Sequence, residues 1–342
     1  MRSMENATPR SSNLMGHVQV ALAMCIVGSS VVVGKLISME LPVFLASFLR
    51  FLIAALFLIP LNYGITGKFL VPRRPEMILI VLQAFFGVFL FSVCMFLGLK
   101  RTSAINAGVI LGMLPAVTAL LSVLILNERL TRRYIIGIAL SMLGAIVLEF
   151  RSSVELVNLH ASMIGILLIF SAVVCEALFS VVGKIAGLNV PAITITTWIT
   201  IIGVILFMPY ALVEAYDFNF AVVSMRAWLL VLYYAVVVTV IGFTLFYAGL
   251  AKISSVAAGV HMAWVPLSAM LIAVTFLSEP FGLLDFVSAI SVLTAVIVVS
   301  IRGKAAALQK GSYKAKFLVR ASRLFGNKRE IKLKKKSGES SV

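Results

Sequence analysis

Two charged side chains, Arg50 and Glu176, stand inside long apolar runs, where their types suit them to hold the charged groups of a ligand. An ionised side chain at mid-bilayer costs about 2.5–3.5 kcal/mol on insertion scales, so its presence there suggests function. Arg50 falls eight residues after Pro42, roughly 12 Å from one membrane face at 1.5 Å per residue. Glu176 falls ten residues before Ala186, roughly 15 Å from the other face. In about 30 Å of hydrocarbon the two depths nearly coincide. The pair is therefore expected to bracket a zwitterion, the guanidinium meeting a carboxylate and the Glu176 carboxylate meeting an amine. A structural ion pair between them, or an Arg50 that only props its helix, is the alternative reading.

His261 stands three residues before Trp264 in another apolar run. A cavity imidazole can relay protons because it titrates near physiological pH, and Glu176 can do so if burial raises its pKa. A hydrogen bond to a neighbouring helix is the plain alternative for His261. His17, His160 and His261 are expected to lie well apart, the first two near opposite faces. Trp264, Trp198 and Tyr247 suit apolar walls with one polar edge, or simple packing. Asn106 is the remaining polar candidate. Two Gly-Lys pairs, Gly34–Lys35 and Gly183–Lys184, fall near run ends, where a lysine reaches the interface as gate or anchor. Glu128 and Glu279 end two other runs and are expected to pair with basic residues at the rims.

Other chemistries find few parts here. No HExxH, GxSxG or paired aspartates occur, so an intramembrane enzyme lacks convergent catalytic groups. There is no phosphate loop, and ATP is not expected as the energy source. Cys25, Cys94 and Cys175 lie in apolar runs without CxxC spacing, so no disulfide, metal site or cofactor is expected.

The elements that must position these residues are helices in lipid. The 342 residues are 61% hydrophobic and 12% charged, with mean hydropathy +1.10, more apolar surface than a soluble domain of this size hides. A spanning helix needs about 20 apolar residues. Ten stretches qualify: 16–38, 42–63, 76–98, 103–125, 134–150, 162–186, 191–213, 227–250, 254–277 and 281–301, the fifth being short. Barrel-type alternation is absent. The first fifteen residues are polar, and no signal-peptide cleavage pattern follows. With the N-terminus inside, Lys and Arg in the loops and ends divide 22 inside to 4 outside, so both termini are expected in the cytoplasm.

The runs also repeat. Gly34, Lys35, Pro42 and Pro60 recur 149 residues later as Gly183, Lys184, Pro191 and Pro209. Ala107, Gly108, Val109, Pro115 and Glu128 recur 151 residues later as Ala258, Gly259, Val260, Pro266 and Glu279. The expected organisation is a lead (1–15), repeat one (16–150), repeat two (162–301) and a basic tail (302–342). Five helices per copy is an odd number, so the copies are expected to enter the membrane from opposite faces, as in transporters that alternate between two states. Pro115 and Pro266 fall at equivalent mid-run positions and are expected to kink their helices as matched hinges.

The tail carries thirteen basic and two acidic residues. Phe317, Leu318, Ala321, Leu324 and Phe325 follow helical spacing there, which suits an anionic inner leaflet. A disordered tail that reinforces topology is the alternative, and nucleic acid is not an expected partner.

The segment RTSAINAGVILGMLPAVTALLSVLILNERL (Arg101–Leu130), its copy ending in LSEP (Leu277–Pro280) and the Gly-Lys pairs resemble the drug/metabolite transporter superfamily, in its ten-helix EamA-type branch. The resemblance covers about 16–301. It implies a ten-helix inverted-repeat bundle with helices 5 and 10 peripheral and a cavity lined by helices 1, 3, 4, 6, 8 and 9. It also implies small-metabolite traffic, often export of amino acids or related amines. The tail, and Pro280 where repeat one has Arg129, depart from a simple member. The expectation is thus an all-α integral membrane carrier of a small molecule in a bacterial inner (plasma) membrane, compatible with a homodimer. An intramembrane enzyme and a channel are the rivals.

Overall fold

The computed structural model describes residues 9–99, 101, 107, 110–151, 163–187, 189–277 and 282–300. Among them the regular structure is helical, without strands. The helices are α1 (Pro9–Ser38), α2 (Val43–Thr66), α3 (Arg74–Leu99), α4 (Leu114–Leu126), α5 (Arg132–Arg151) and α6 (Met163–Ala186). They continue as α7 (Ala192–Tyr216), α8 (Met225–Leu250), α9 (Ser255–His261), α10 (Trp264–Leu277) and α11 (Leu283–Ser300).

Among the described residues, eight helical stretches are long and apolar enough to cross a bilayer: α1 from Leu14, α2, α3, α6, α7, α8, Ser255–Ile272 across α9 and the start of α10, and α11. The other two sequence runs are described only in part. The run at 103–125 is represented by α4, only 13 residues long, with 102–106 outside the described residues. The run at 134–150 lies within the 20-residue α5, whose side chains at 148–151 are outside the described residues. Leu56, Leu124, Ile205 and Leu212 are exposed on the helix surfaces, as a lipid solvent allows.

The packing is reciprocal between the halves. α1 lies along α10 and the end of α8, while α6 lies along α4 and the end of α3. α2 packs on α7; α2 also meets the middle of α8, and α7 the middle of α3. α5 pairs with α11, where the Ser288 hydroxyl donates to the Gly144 carbonyl at 2.7 Å and a Cβ at Gly144 would lie 2.8 Å from Val292 Cγ2. Each of these contacts between halves thus has a counterpart with the halves exchanged.

Local details repeat as well. Pro42 and Pro191 cap α2 and α7 with φ, ψ of −57°, 144° and −57°, 143°. Proline fixes φ there and its missing N–H is harmless at a helix start. α3 contains a π-helical segment at Ala84–Leu90 and α8 one at Tyr234–Gly242. Such segments tend to mark functional sites, and nothing in the sequence pattern announces them.

Pro115 and Pro266 do not kink continuous helices. Pro115 sits in the first turn of α4 and Pro266 in the first turn of α10, each after a break. At the breaks Met113 N–H donates to the Ile110 carbonyl and Ala263 N–H to that of Val260, a tightened three-residue step. A first-turn proline leaves no helical bond unmade, so these residues start helices rather than bend them.

Candidate functional site

Arg50 is half-buried on α2. Its guanidinium carbon lies 4.4 Å from the centroid of the Phe51 ring and 4.4 Å from that of Tyr234, the first residue of the π segment in α8. Its Nε is buried without a hydrogen-bond partner among the described residues. Ring faces attract a cation but leave its N–H edge unsatisfied. Arg50 therefore presents positive charge that no carboxylate among the described residues neutralises.

Glu176 is half-buried on α6, and no hydrogen bond or ion pair holds its carboxylate among the described residues. Arg50 and Glu176 do not form the structural pair that the sequence left open. Their helices pack mainly on different neighbours, α2 on α7 and the middle of α8, α6 on α3 and α4.

Tyr247 is sealed near Glu176, and its hydroxyl donates to Gln83 Oε1 at 2.8 Å. Gln83, a lone amide in the apolar run of α3, was missed by the spacing argument; its side-chain amide also donates to the Leu79 carbonyl at 3.2 Å. Gly183 allows this approach: a Cβ there would lie 2.9 Å from Gln83 Oε1 and 3.0 Å from the Tyr247 ring. At Gly34 the nearest atom to such a Cβ is in Tyr234, at 3.9 Å. The matched glycines therefore carry unequal packing.

Trp198 gives its polar edge to the chain, donating from Nε1 to the Leu70 carbonyl at 3.1 Å, with its ring 5.5 Å from that of Phe69. Trp264 Nε1 is buried without a partner among the described residues. Asn106 and Glu279 lie outside the described residues, as does the Lys35 side chain.

His261 overturns one expectation. It lies beside His17, with His17 Nδ1 and His261 Nε2 2.9 Å apart and ring centroids 5.2 Å apart. The two histidines are 244 residues apart in sequence; they meet because α1 packs across α9 and α10.

Lys184 and Glu128 bind the chain where α8 gives way to α9. Lys184 Nζ donates to the carbonyls of Leu250 (2.6 Å), Ala251 (3.2 Å) and Ile253. Glu128 accepts from the N–H groups of Ser255 (3.1 Å) and Val256 (3.2 Å) at the start of α9. Asn127, left-handed at φ 54°, turns the chain after α4 to bring Glu128 there. Burial pushes the Glu128 carboxyl above its ordinary pKa, against the pull of those two N–H groups and of Lys184. These are the unmade hydrogen bonds of helix ends, satisfied by side chains.

Apolar helices with charges between them define a multi-pass membrane protein. The chain belongs to the EamA-like transporter family, whose model matches residues 14–150 and again 163–301. It is 35% identical over 288 residues to the "uncharacterized transporter YetK" of Bacillus subtilis (strain 168), covering 84% of this chain and 87% of that one. It is 26% identical to the "uncharacterized transporter YyaM" of the same organism, over 66% and 74% of the two chains. An "uncharacterized transporter" of Archaeoglobus fulgidus matches at 25% identity over 78% and 91%. A solved structure described as "Crystal structure of protein" shares the fold, with TM-score 0.70 over 84% of this chain and 96% of that chain at 18% identity.

Proposed function

We propose that this membrane transporter carries zwitterionic small metabolites, amino acids or related amines, by alternating access in the bacterial plasma membrane, in the direction of export. The observation that carries the reading is the pair of opposite charges, Arg50 and Glu176, left without a counter-charge among the described residues on apolar helices. Each is costly in hydrocarbon without a counter-charge, and a zwitterion supplies both. Arg50 takes the substrate carboxylate and Glu176 its amine, with Tyr247 beside Glu176.

The two family matches, the reciprocal packing, the paired proline caps and the paired π segments support ten spans in two inverted five-helix repeats. Both termini then lie in the cytoplasm. On this reading the Lys184–Glu128 anchorage closes the inner mouth. Lys35 and Glu279, at the repeat-equivalent positions, serve the outer one.

The test is exchange of radiolabelled amino acids in proteoliposomes of the full chain. Competition is expected from compounds bearing both amine and carboxylate, and not from simple amines or simple carboxylates. Arg50→Gln is expected to weaken competition roughly 10- to 100-fold, as for loss of a charged hydrogen bond worth about 1.5–3 kcal/mol. Arg50→Lys restores it only in part, since an ammonium lacks the guanidinium fork. Equal competition by amines that lack a carboxylate removes Arg50 from the site. Trans-stimulation separates a carrier from a channel, and product formation without movement would mark an enzyme.

A further inference from the structure

The two histidines form a unit that the transport reading above does not use. His17 is 8% exposed and His261 1%, so this N···N contact is sealed from solvent. A contact of 2.9 Å between ring nitrogens needs one proton between them. Each neutral imidazole carries one N–H and one lone pair. If His17 Nδ1 donates, His261 must carry its own proton on Nδ1. If His261 Nε2 donates, His261 Nδ1 is a bare acceptor. In both arrangements His261 Nδ1 is the open end of the chain, and that atom is buried with no partner among the described residues.

Several charged and titratable groups of the surrounding elements have partners of their own, though Glu176 of α6, which also packs on α9, has none among the described residues. Lys252, after α8, donates to Gln19 Oε1 at 2.7 Å. Lys184 is on the carbonyls that end α8, and Glu128 on the N–H groups that begin α9. Tyr134 of α5 bonds the Ser254 hydroxyl at 3.1 Å. Trp264 Nε1, on α10, is another buried donor without a partner among the described residues. No carboxylate among these groups holds the imidazole pair in a charged form.

We propose that His17 and His261 are a proton-binding site, a two-ring relay whose deep port is His261 Nδ1 and through which transport is coupled to protons. A proton arriving at His17 Nε2 releases the His17 Nδ1 proton to His261 Nε2, and His261 then gives up its Nδ1 proton. One proton enters, one leaves, and both rings exchange tautomers. The reverse passage restores them, so net flow in one direction requires the rings to separate and reset between passages. Movement of α1 against α9 and α10 supplies that separation. The coupling rests on the transporter reading; the site does not.

The two parts are tested separately. The chain has three histidines, so His160→Asn with ring-15N histidine in lipid nanodiscs leaves only the pair to observe. A scalar coupling between the two nitrogens across the shared proton is expected, with both rings titrating together. This reading uses intact His17 and His261, so it does not depend on a variant that could misfold. Independent titrations without that coupling overturn the site, whatever the substrate. In the amino-acid proteoliposomes, a pH gradient is expected to stimulate uptake by the full chain. His17→Gln and His261→Gln are expected to lose that stimulation while exchange without a gradient persists. Gradient-driven uptake that survives both substitutions overturns the coupling, whereas absence of all exchange overturns the amino-acid reading instead.

Discussion

Arg50 lies over two aromatic rings, which hold its guanidinium without spending its hydrogen-bond donors. A cation–π contact is worth about 0.5–2 kcal/mol, enough to orient a side chain and too little to replace a counter-ion. Tyr234→Phe should therefore preserve substrate competition, and Tyr234→Leu should weaken it several-fold in the exchange assay. The matched glycines lead to a second comparison. Gly183→Ala should lower the thermal midpoint in detergent, because its Cβ meets Gln83 and Tyr247, whereas Gly34→Ala should leave it unchanged. Sequence alone picks out Arg50 and Glu176, because isolated charges are conspicuous in apolar runs. It does not reveal the Phe51–Tyr234 box, the Gln83–Tyr247 bond or the histidine contact. Those depend on which faces of distant helices meet, and hydropathy carries no record of that.

α8 shows how a helix with a π-helical middle is held. Glu40 accepts from the Ser224 N–H (2.8 Å) and from its hydroxyl (2.9 Å) at the start of α8, and Lys184 covers the carbonyls at its end. Acid at the first turn and ammonium at the last both favour the helix dipole. The two carboxylates, both outside the helices, respond oppositely to pH. The Ser224 backbone and hydroxyl bonds hold Glu40 below its ordinary value, so its contribution is present above pH 4.5 and fades as pH falls. Burial raises Glu128, so the folded state holds its proton more tightly than the unfolded chain. Stability then declines as pH rises from 4.5 through the raised value. Glu128→Gln should flatten that decline in a thermal-midpoint series run from acid to neutral pH. The element boundaries were largely legible, since proline caps and apolar lengths mark them. The π segments and the helix breaks before Pro115 and Pro266 were not, because both are settled by packing.

For the whole molecule, the internal repeat was the most legible feature, and the family match to both halves agrees with it. The proposed inversion of the halves has a direct test. With Cys25, Cys94 and Cys175 replaced by alanine, single cysteines at positions 35 and 184 should react with an impermeant thiol reagent from opposite sides of the bilayer. Labelling from the same side would rule out inverted halves. The basic tail lies beyond the described residues, and its reading as a lipid-surface helix rests on residue spacing alone.

The inequality between Gly34 and Gly183 has a consequence for kinetics. If the halves trade places during the cycle, Gly34 must enter the crowded seat that Gly183 occupies here. A methyl group at Gly34 would then be harmless in this conformer and obstructive in its mirror image. Such a variant would denature normally yet stall half-way round its cycle, a ratchet stopped by one carbon atom.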